Sequence, residues 1–381
     1  VRLVPTSHQI FLDPPRVFLI YKIYYAKCYN CKVTTTHIGK IFLTFLPFWL
    51  FLIFFKFGAG LHYIFMPVIG ERVLPLWAVG AFIGGASFLQ LLLDVPAGRL
   101  LDRYGYRRLL IVGTVFFMVA ASVLLLDFSI VAYIVTLFFG ALGWLFFSPG
   151  INAYALSHAP REVAGKFLSL RDVFGSVGIV LSTSALPFVL LPNTSTGGKI
   201  ILGLLAAAFL SMYFAPKDVE SVHKEKKLPT HHYYIRRHYL REVVQTFTKL
   251  NPASTMLLIF NFSAAIFYAT MWFVIPIVVA NQISSGVFTI GLGIFDFSVV
   301  ILGYFLGTLV DKSNKRTLVF FGLLVFAIAG MFTAFKFNWL FLVFGFLATA
   351  GEEVAGLSLW SWLHALDRDH AHDGLVAGVL T

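Results

Sequence analysis

The sequence predicts an all-α polytopic membrane protein built from two repeated helical bundles, and three observations predict it. The 381 residues are 59% hydrophobic and only 12% charged, whereas a soluble domain carries about 25% charged residues. Apolar runs of about 20 residues, the length that crosses a bilayer as a helix, recur ten times, near 42–69, 75–98, 109–127, 130–156, 167–192, 199–215, 254–280, 285–310, 317–335 and 338–363. The chain also repeats itself. Pro67, Gly98 and Asp102 return 209 positions later as Pro276, Gly307 and Asp311, and Gly143 and Gly351 stand 208 apart because the second turn is one residue shorter.

Residues 1–40 form a leader whose apolar stretch, Val17 to Tyr25, is too short and interrupted to span. It reads as a cytoplasmic segment or as sequence outside the native fold. Its Cys28 and Cys31 make a lone Cys-x-x-Cys without the four ligands of a zinc site, so no metal and no cofactor are expected. Residues 41–216 hold six spans, the N-terminal bundle. The stretch 217–253 is basic, and Leu240, Val243, Val244 and Phe247 recur at helical spacing, which suits a cytoplasmic linker resting on anionic lipid. Residues 254–381 hold four more spans and the start of an eleventh, an incomplete C-terminal bundle. Laying the second repeat on the first leaves about two helices absent, so the sequence reads as truncated before its last two spans.

The net charge of +11 does not call for a nucleic-acid partner, because the basic residues lie in alternate connections. The leader and every second connection together hold 24 Lys and Arg, and the other connections hold only Arg72, Lys199 and Lys336. By the positive-inside rule this asymmetry places the N-terminus in the cytoplasm of an integral protein of the plasma (inner) membrane. No His-Glu-x-x-His, Gly-x-Ser-x-Gly or phosphate-loop motif is present, so an enzyme is not expected.

The first repeated turn carries its own chemistry. Gly98, at the expected exit of a helix, lets a neighbour approach, and Gly105 permits the positive φ of a tight reversal. Asp102, among Arg99, Arg103, Arg107 and Arg108, can accept charge-assisted hydrogen bonds as a latch between helices. Gly307, Asp311 and Arg316 are the weaker second copy. Asp94 and Asp172, nearer the cytoplasmic edge, are read as snorkelling to water.

The run Asp94-Val-Pro-Ala-Gly98 into Arg99-Leu-Leu-Asp-Arg-Tyr-Gly-Tyr-Arg-Arg108 resembles the signature between the second and third helices of the major facilitator superfamily, with Tyr106 where arginine is usual. Pro160 to Lys166 is similar to that family's second cytoplasmic turn. The resemblance covers residues 42–381. It implies rocker-switch transport of a small-molecule substrate, coupled to protons or another ion, with the first, fourth, seventh and tenth helices lining the cavity. It also implies a cytoplasmic latch that engages the eleventh helix.

A charge inside the bilayer costs about 2.5–3.5 kcal/mol on insertion scales, so the few that occur are candidate site residues. Lys56 and His62 lie in the first span, Asn261 in the seventh, Asp296 in the eighth, and Glu352 and Glu353 in the tenth. Lys56 with one glutamate is the expected substrate or proton pair; the adjacent glutamates point about 100° apart. The competing class is a non-transporting receptor or scaffold that kept the fold.

Overall fold

The computed structural model describes residues 42–126, 129–159, 164–189, 194–218, scattered positions of 255–273, 287–333 and 339–366. Of the unit Val1–Thr44, only 42–44 are described, as a single stretch of helix; the description below concerns the unit Phe45–Thr381.

The described residues form nine long helices, and prolines and one glycine set several of their ends. Helix α1 (Leu46–Val73) has proline in its first turn, where a missing N–H leaves no bond unmade. It stops at Leu74, extended at φ −140° and ψ 149°, the conformation that a following proline imposes. Helix α2 (Leu76–Tyr104) runs straight through Asp94, Pro96, Gly98 and Asp102. The expected turn at 99–108 is therefore helical almost throughout, and Gly98 lies inside a helix rather than at its exit. The reversal is Gly105 alone, at φ 95° and ψ 142°, with its N–H on Leu101 O at 2.9 Å. A side chain would be strained there.

Helix α3 (Tyr106–Val123) starts at the next residue. Helix α4 (Ile130–His158) is capped by Ser129, whose hydroxyl accepts the Ala132 N–H at 3.2 Å. Then follow α5 (Ala164–Val189), α6 (Thr194–Phe214), α7 (Val287–Lys312), α8 (Lys315–Thr333) and α9 (Trp339–Leu366). The last three match the expected eighth to tenth spans. The expected seventh, 254–280, falls mostly outside the described residues.

Seven of these helices are long and apolar enough to cross a bilayer. Helices α5 and α7 are not among them. They carry Arg171, Asp172 and Asp296, of which Arg171 is buried while Asp172 keeps 26% of its side chain exposed.

Among helices already in lipid, close packing does what the hydrophobic effect does in water. Helices α1 and α4 run antiparallel behind paired aromatics: Phe55 stacks on Phe147 at 3.9 Å between centroids, and Phe48 lies tilted against Tyr154 at 4.7 Å. Glycines bring other pairs closer still. A Cβ on Gly113 of α3 would sit 2.9 Å from the Gly143 carbonyl of α4, and one on Gly143 the same distance from the Gly113 carbonyl. The second half repeats this between α8 and α9: a Cβ on Gly322 would sit 2.7 Å from the Gly351 carbonyl, and one on Gly351 2.8 Å from the Gly322 carbonyl. The repeat read from sequence thus returns as one reciprocal backbone crossing made twice.

Helices α5 and α7 form a third close seam. Gly307 has room for no Cβ against Ser169 at 2.6 Å, and Gly165 has none against Asp311 at 2.5 Å. Val173 fills the space beside Gly303, and Thr183 stands against Gly293. These contacts step along both helices in opposite directions, so the seam runs antiparallel through most of their length.

Candidate functional site

The expected site residues fall into two zones: the basic ends of the helices and the interior of the bundle. At the first turn, Asp102 accepts the Tyr106 hydroxyl at 3.0 Å. Arg103 lies over the Tyr104 ring, 5.3 Å from its centroid, and Arg108 is exposed. Arg107 turns to α6. Its Nε donates to the Met212 carbonyl at 3.2 Å and its Nη2 to the Tyr213 carbonyl, while its backbone N–H meets Asp218 at 3.1 Å. A cation on the last carbonyls of a helix satisfies orphan acceptors and complements the dipole. Tyr154 adds a bond to Pro216 O at 2.7 Å, so the stretch after α6 is fastened to α3 and α4.

Asp94 is 4% exposed, and its Oδ1 meets no hydrogen-bond partner among the described residues. It is buried, so the snorkelling expected from sequence is not what happens: α2 continues past it, and the carboxyl stays among packed helices.

The second copy does something different. Asp311, at the end of α7 and beyond the expected span, accepts the backbone N–H of Gly165 at 2.8 Å with Oδ1 and that of Lys166 at 3.2 Å with Oδ2. These are first-turn amides of α5, which lack partners in their own helix and carry the positive end of its dipole. Burial pushes the Asp311 carboxyl above its usual value, partly opposed by these two N–H groups and by Lys166 and Lys315. Gly307 packs beneath on Ser169, whose hydroxyl donates to the Gly303 carbonyl. On α8, Lys315 donates to Ser361 O at 3.2 Å and Arg316 lies over the Trp362 ring at 5.0 Å, both holding the end of α9.

In the interior, Lys56 of α1 places its ammonium 4.6 Å from the Trp144 centroid and 5.3 Å from that of Phe147, both on α4. Gly175 and Gly178 of α5 leave the space its stem occupies. Its attractive electrostatic neighbours are Asp296 first and Asp172 second, with Arg171 repelling it. Asp296 of α7 accepts the Ser176 hydroxyl at 3.3 Å on Oδ1, and its Oδ2 meets no partner among the described residues. Arg171 is 8% exposed; its Nε and Nη2 donate to the two Asp172 oxygens at 2.8 and 2.6 Å, and its Nη1 to Asn152 of α4. Glu353 of α9 has Asp172, Glu352, Arg171 and Asp296 as its charged neighbours, and its Oε1 is buried without a partner among the described residues.

Lys56, Asp296 and Glu353 therefore share one electrostatic neighbourhood, but Asp296, not a glutamate, is the first partner of Lys56. His62 stands apart. It is 3% exposed, edge-on to Phe117 at 5.7 Å and against Gly140, within the packing of α1, α3 and α4. Asn261 lies outside the described residues. Sequence reading missed Arg171, Asn152, Ser176 and Trp144. For Arg171 the signal was present, a guanidinium inside the apolar run 167–192, and it called for the argument that singled out Lys56.

The family model of the Major Facilitator Superfamily matches residues 41–380. No curated protein matches the chain by sequence. Among solved structures, the human organic anion transporter MFSD10 (TETRAN) superposes with a TM-score of 0.67 at 12% identity, covering 88% of each chain. The E. coli fucose:proton symporter FucP gives 0.62 at 13%, again with 88% of each chain covered. The proton:xylose symporter XylE, bound to 6-bromo-6-deoxy-D-glucose, gives 0.63 at 15%, with 88% of this chain and 85% of that one covered.

Proposed function

As the chain belongs to the major facilitator superfamily, whose members are membrane transporters rather than enzymes, we propose that it carries a small polar or charged solute by alternating access and couples that movement to protons. The single observation that carries this reading is the interior charge group: Lys56, Arg171, Asp172, Asp296 and Glu353, contributed by α1, α5, α7 and α9. Buried charges on four helices are too costly to keep for packing alone when apolar side chains would fit the same space.

Solute and proton meet at this group. Lys56 offers a donor and Trp144 a flat apolar face, and the oxygens of Asp296 and Glu353 that meet no partner among the described residues accept a hydroxyl, an amine or a proton. The bundles 41–216 and 254–381 would rock about the site, with the N-terminus in the cytoplasm of the plasma membrane. With the α5–α7 seam shut at the basic ends, these two helices are held together on that side. That two of the similar folds are proton symporters for sugars and one an organic anion transporter supports the coupling and suggests the solutes to try first.

The test is flux into proteoliposomes holding the purified chain, with radiolabelled sugars and organic anions offered with and without an inward proton gradient. Accumulation that needs the gradient is the expected result. If no solute moves in either direction under any gradient, the scaffold reading replaces this one.

A further inference from the structure

We propose that the solute is an aromatic monocarboxylate, bound with its carboxylate on the Lys56 ammonium and its ring against Trp144 and Tyr63. The proposal rests on the transport reading above and names the class of solute that the interior takes.

Lys56 is a cation without an anion in contact. Its ammonium carries three N–H groups, and among the described residues none of them donates to an oxygen; it meets two aromatic rings instead, Trp144 at 4.6 Å and Phe147 at 5.3 Å from the centroids. The carboxylates that attract it are turned to other groups. Asp296 takes the Ser176 hydroxyl at 3.3 Å, and Asp172 takes two N–H groups of Arg171 at 2.8 and 2.6 Å. Ring faces offset part of the cost of an ammonium inside a bilayer, and a carboxylate in hydrogen-bonding reach offsets far more.

The aromatic wall continues along α1. Tyr63 stands seven residues after Lys56, two turns and about 10 Å further on, so both project from the same face. From Gly58 to Pro67 every other residue of α1 is buried, while Tyr63 keeps 37% of its surface open. Trp144 of α4 joins the two: half-buried itself, it lies 5.6 Å from the Tyr63 ring and 4.6 Å from the Lys56 ammonium. Two open rings beside an uncommitted cation fit a solute that is flat, apolar along most of its length and anionic at one end.

Charge sets the number of carboxylates at one. Arg171 is engaged by Asp172 and Asn152, and the acidic groups near Lys56, Asp296 and Asp172, repel a second negative charge. A neutral sugar would stack on the rings but leave the ammonium without a counter-ion. An aliphatic acid would satisfy the ammonium and leave the rings bare, and an organic cation is repelled by Lys56.

The experiment uses the full chain in nanodiscs and tritiated 2-naphthoate, with the counts of nanodiscs lacking protein subtracted. Unlabelled 2-naphthoate should displace the label at concentrations at least about tenfold lower than three relatives do. These are 2-naphthylmethanol, which lacks the charge, decahydro-2-naphthoate, which lacks the aromatic ring, and naphthalene-2,6-dicarboxylate, which adds a second charge. Lys56→Gln should weaken binding about tenfold or more, and Lys56→Arg should keep most of it. Trp144→Leu should weaken binding, and Trp144→Phe should keep most of it. Asp296→Asn should tighten binding about threefold, since it removes a charge that competes for Lys56. An Asp296→Asn variant that loses binding as Lys56→Gln does would mark Lys56 as half of a structural ion pair and overturn the proposal. So would 2-naphthylmethanol competing as well as 2-naphthoate, or no specific binding at all; the transport reading would survive each of these wherever another solute accumulates. Binding in the expected order by a chain that moves no solute under any gradient would keep this site and remove transport.

Discussion

The Asp311 carboxylate closes on the backbone N–H of Gly165 at 2.8 Å, so the last turn of α7 caps the first turn of α5. Sequence placed the latch at Asp102; in this conformation the bond between α5 and α7 is made by its second copy. Charge-assisted hydrogen bonds to backbone amides are worth about 1.5–3 kcal/mol each. Asp311→Ala should therefore speed hydrogen exchange of the Gly165 and Lys166 amides at least about tenfold. An unchanged rate would leave Asp311 without a part in closing the seam.

The same residue sets a pH dependence. Burial raises the Asp311 carboxyl above its ordinary value in the closed seam, while an open seam returns it to water and to that value. The closed form therefore binds the proton more tightly and is favoured as pH falls through the raised value. Protection of the Gly165 and Lys166 amides against hydrogen exchange should rise on acidification and lose that part of its pH response in Asp311→Asn. A response of the opposite sign in the parent chain would reject the argument.

The glycine crossings make a stability prediction. Gly322→Ala and Gly351→Ala each push a Cβ against backbone of the facing helix, where relief requires the helices to part. Each should cost about 1–3 kcal/mol, seen as a lower unfolding temperature in detergent. Gly203→Ala, with nothing near its added carbon, is the control and should unfold with the parent.

In gradient-driven flux, Glu353→Gln and Asp296→Asn should abolish accumulation while leaving counterflow exchange measurable, because each removes a proton site but keeps a polar side chain. Glu352→Gln, pointing about 100° away from its neighbour, should be milder. Equal losses in the two glutamate variants would mean that the helix face has been misassigned.

His62 supplies a negative prediction. Both ring nitrogens are buried without partners among the described residues, so an apolar replacement leaves nothing unsatisfied. His62→Leu should keep full flux and lose no thermal stability. Loss of flux with the fold intact would return it to the candidate site.

The long spans and the duplication were legible because lipid selects apolar runs and the glycines, prolines and charges that interrupt them stand out. Helix α2 shows the limit. Nothing local in Gly98-Arg-Leu-Leu-Asp102 says whether the chain turns there or continues, and Leu101 O capping Gly105 decides that it continues. Lys56 was visible as a charge in the bilayer, but its partner was not: a glutamate and an aspartate look alike in sequence, and only the crossing of α5 and α7 brings Asp296 to it. Arg171 was hidden by adjacency, since a neighbouring carboxylate suggests a locally satisfied pair.

The twofold glycine crossing limits how the two halves can diverge. Gly113 with Gly143, and Gly322 with Gly351, each form a contact in which neither partner can change alone without parting two helices. Mutation can rewrite nearly everything around them, including which half carries the working charges. Those four positions must drift, if at all, in matched steps, so across distant copies of this architecture they should outlast the residues that choose the cargo.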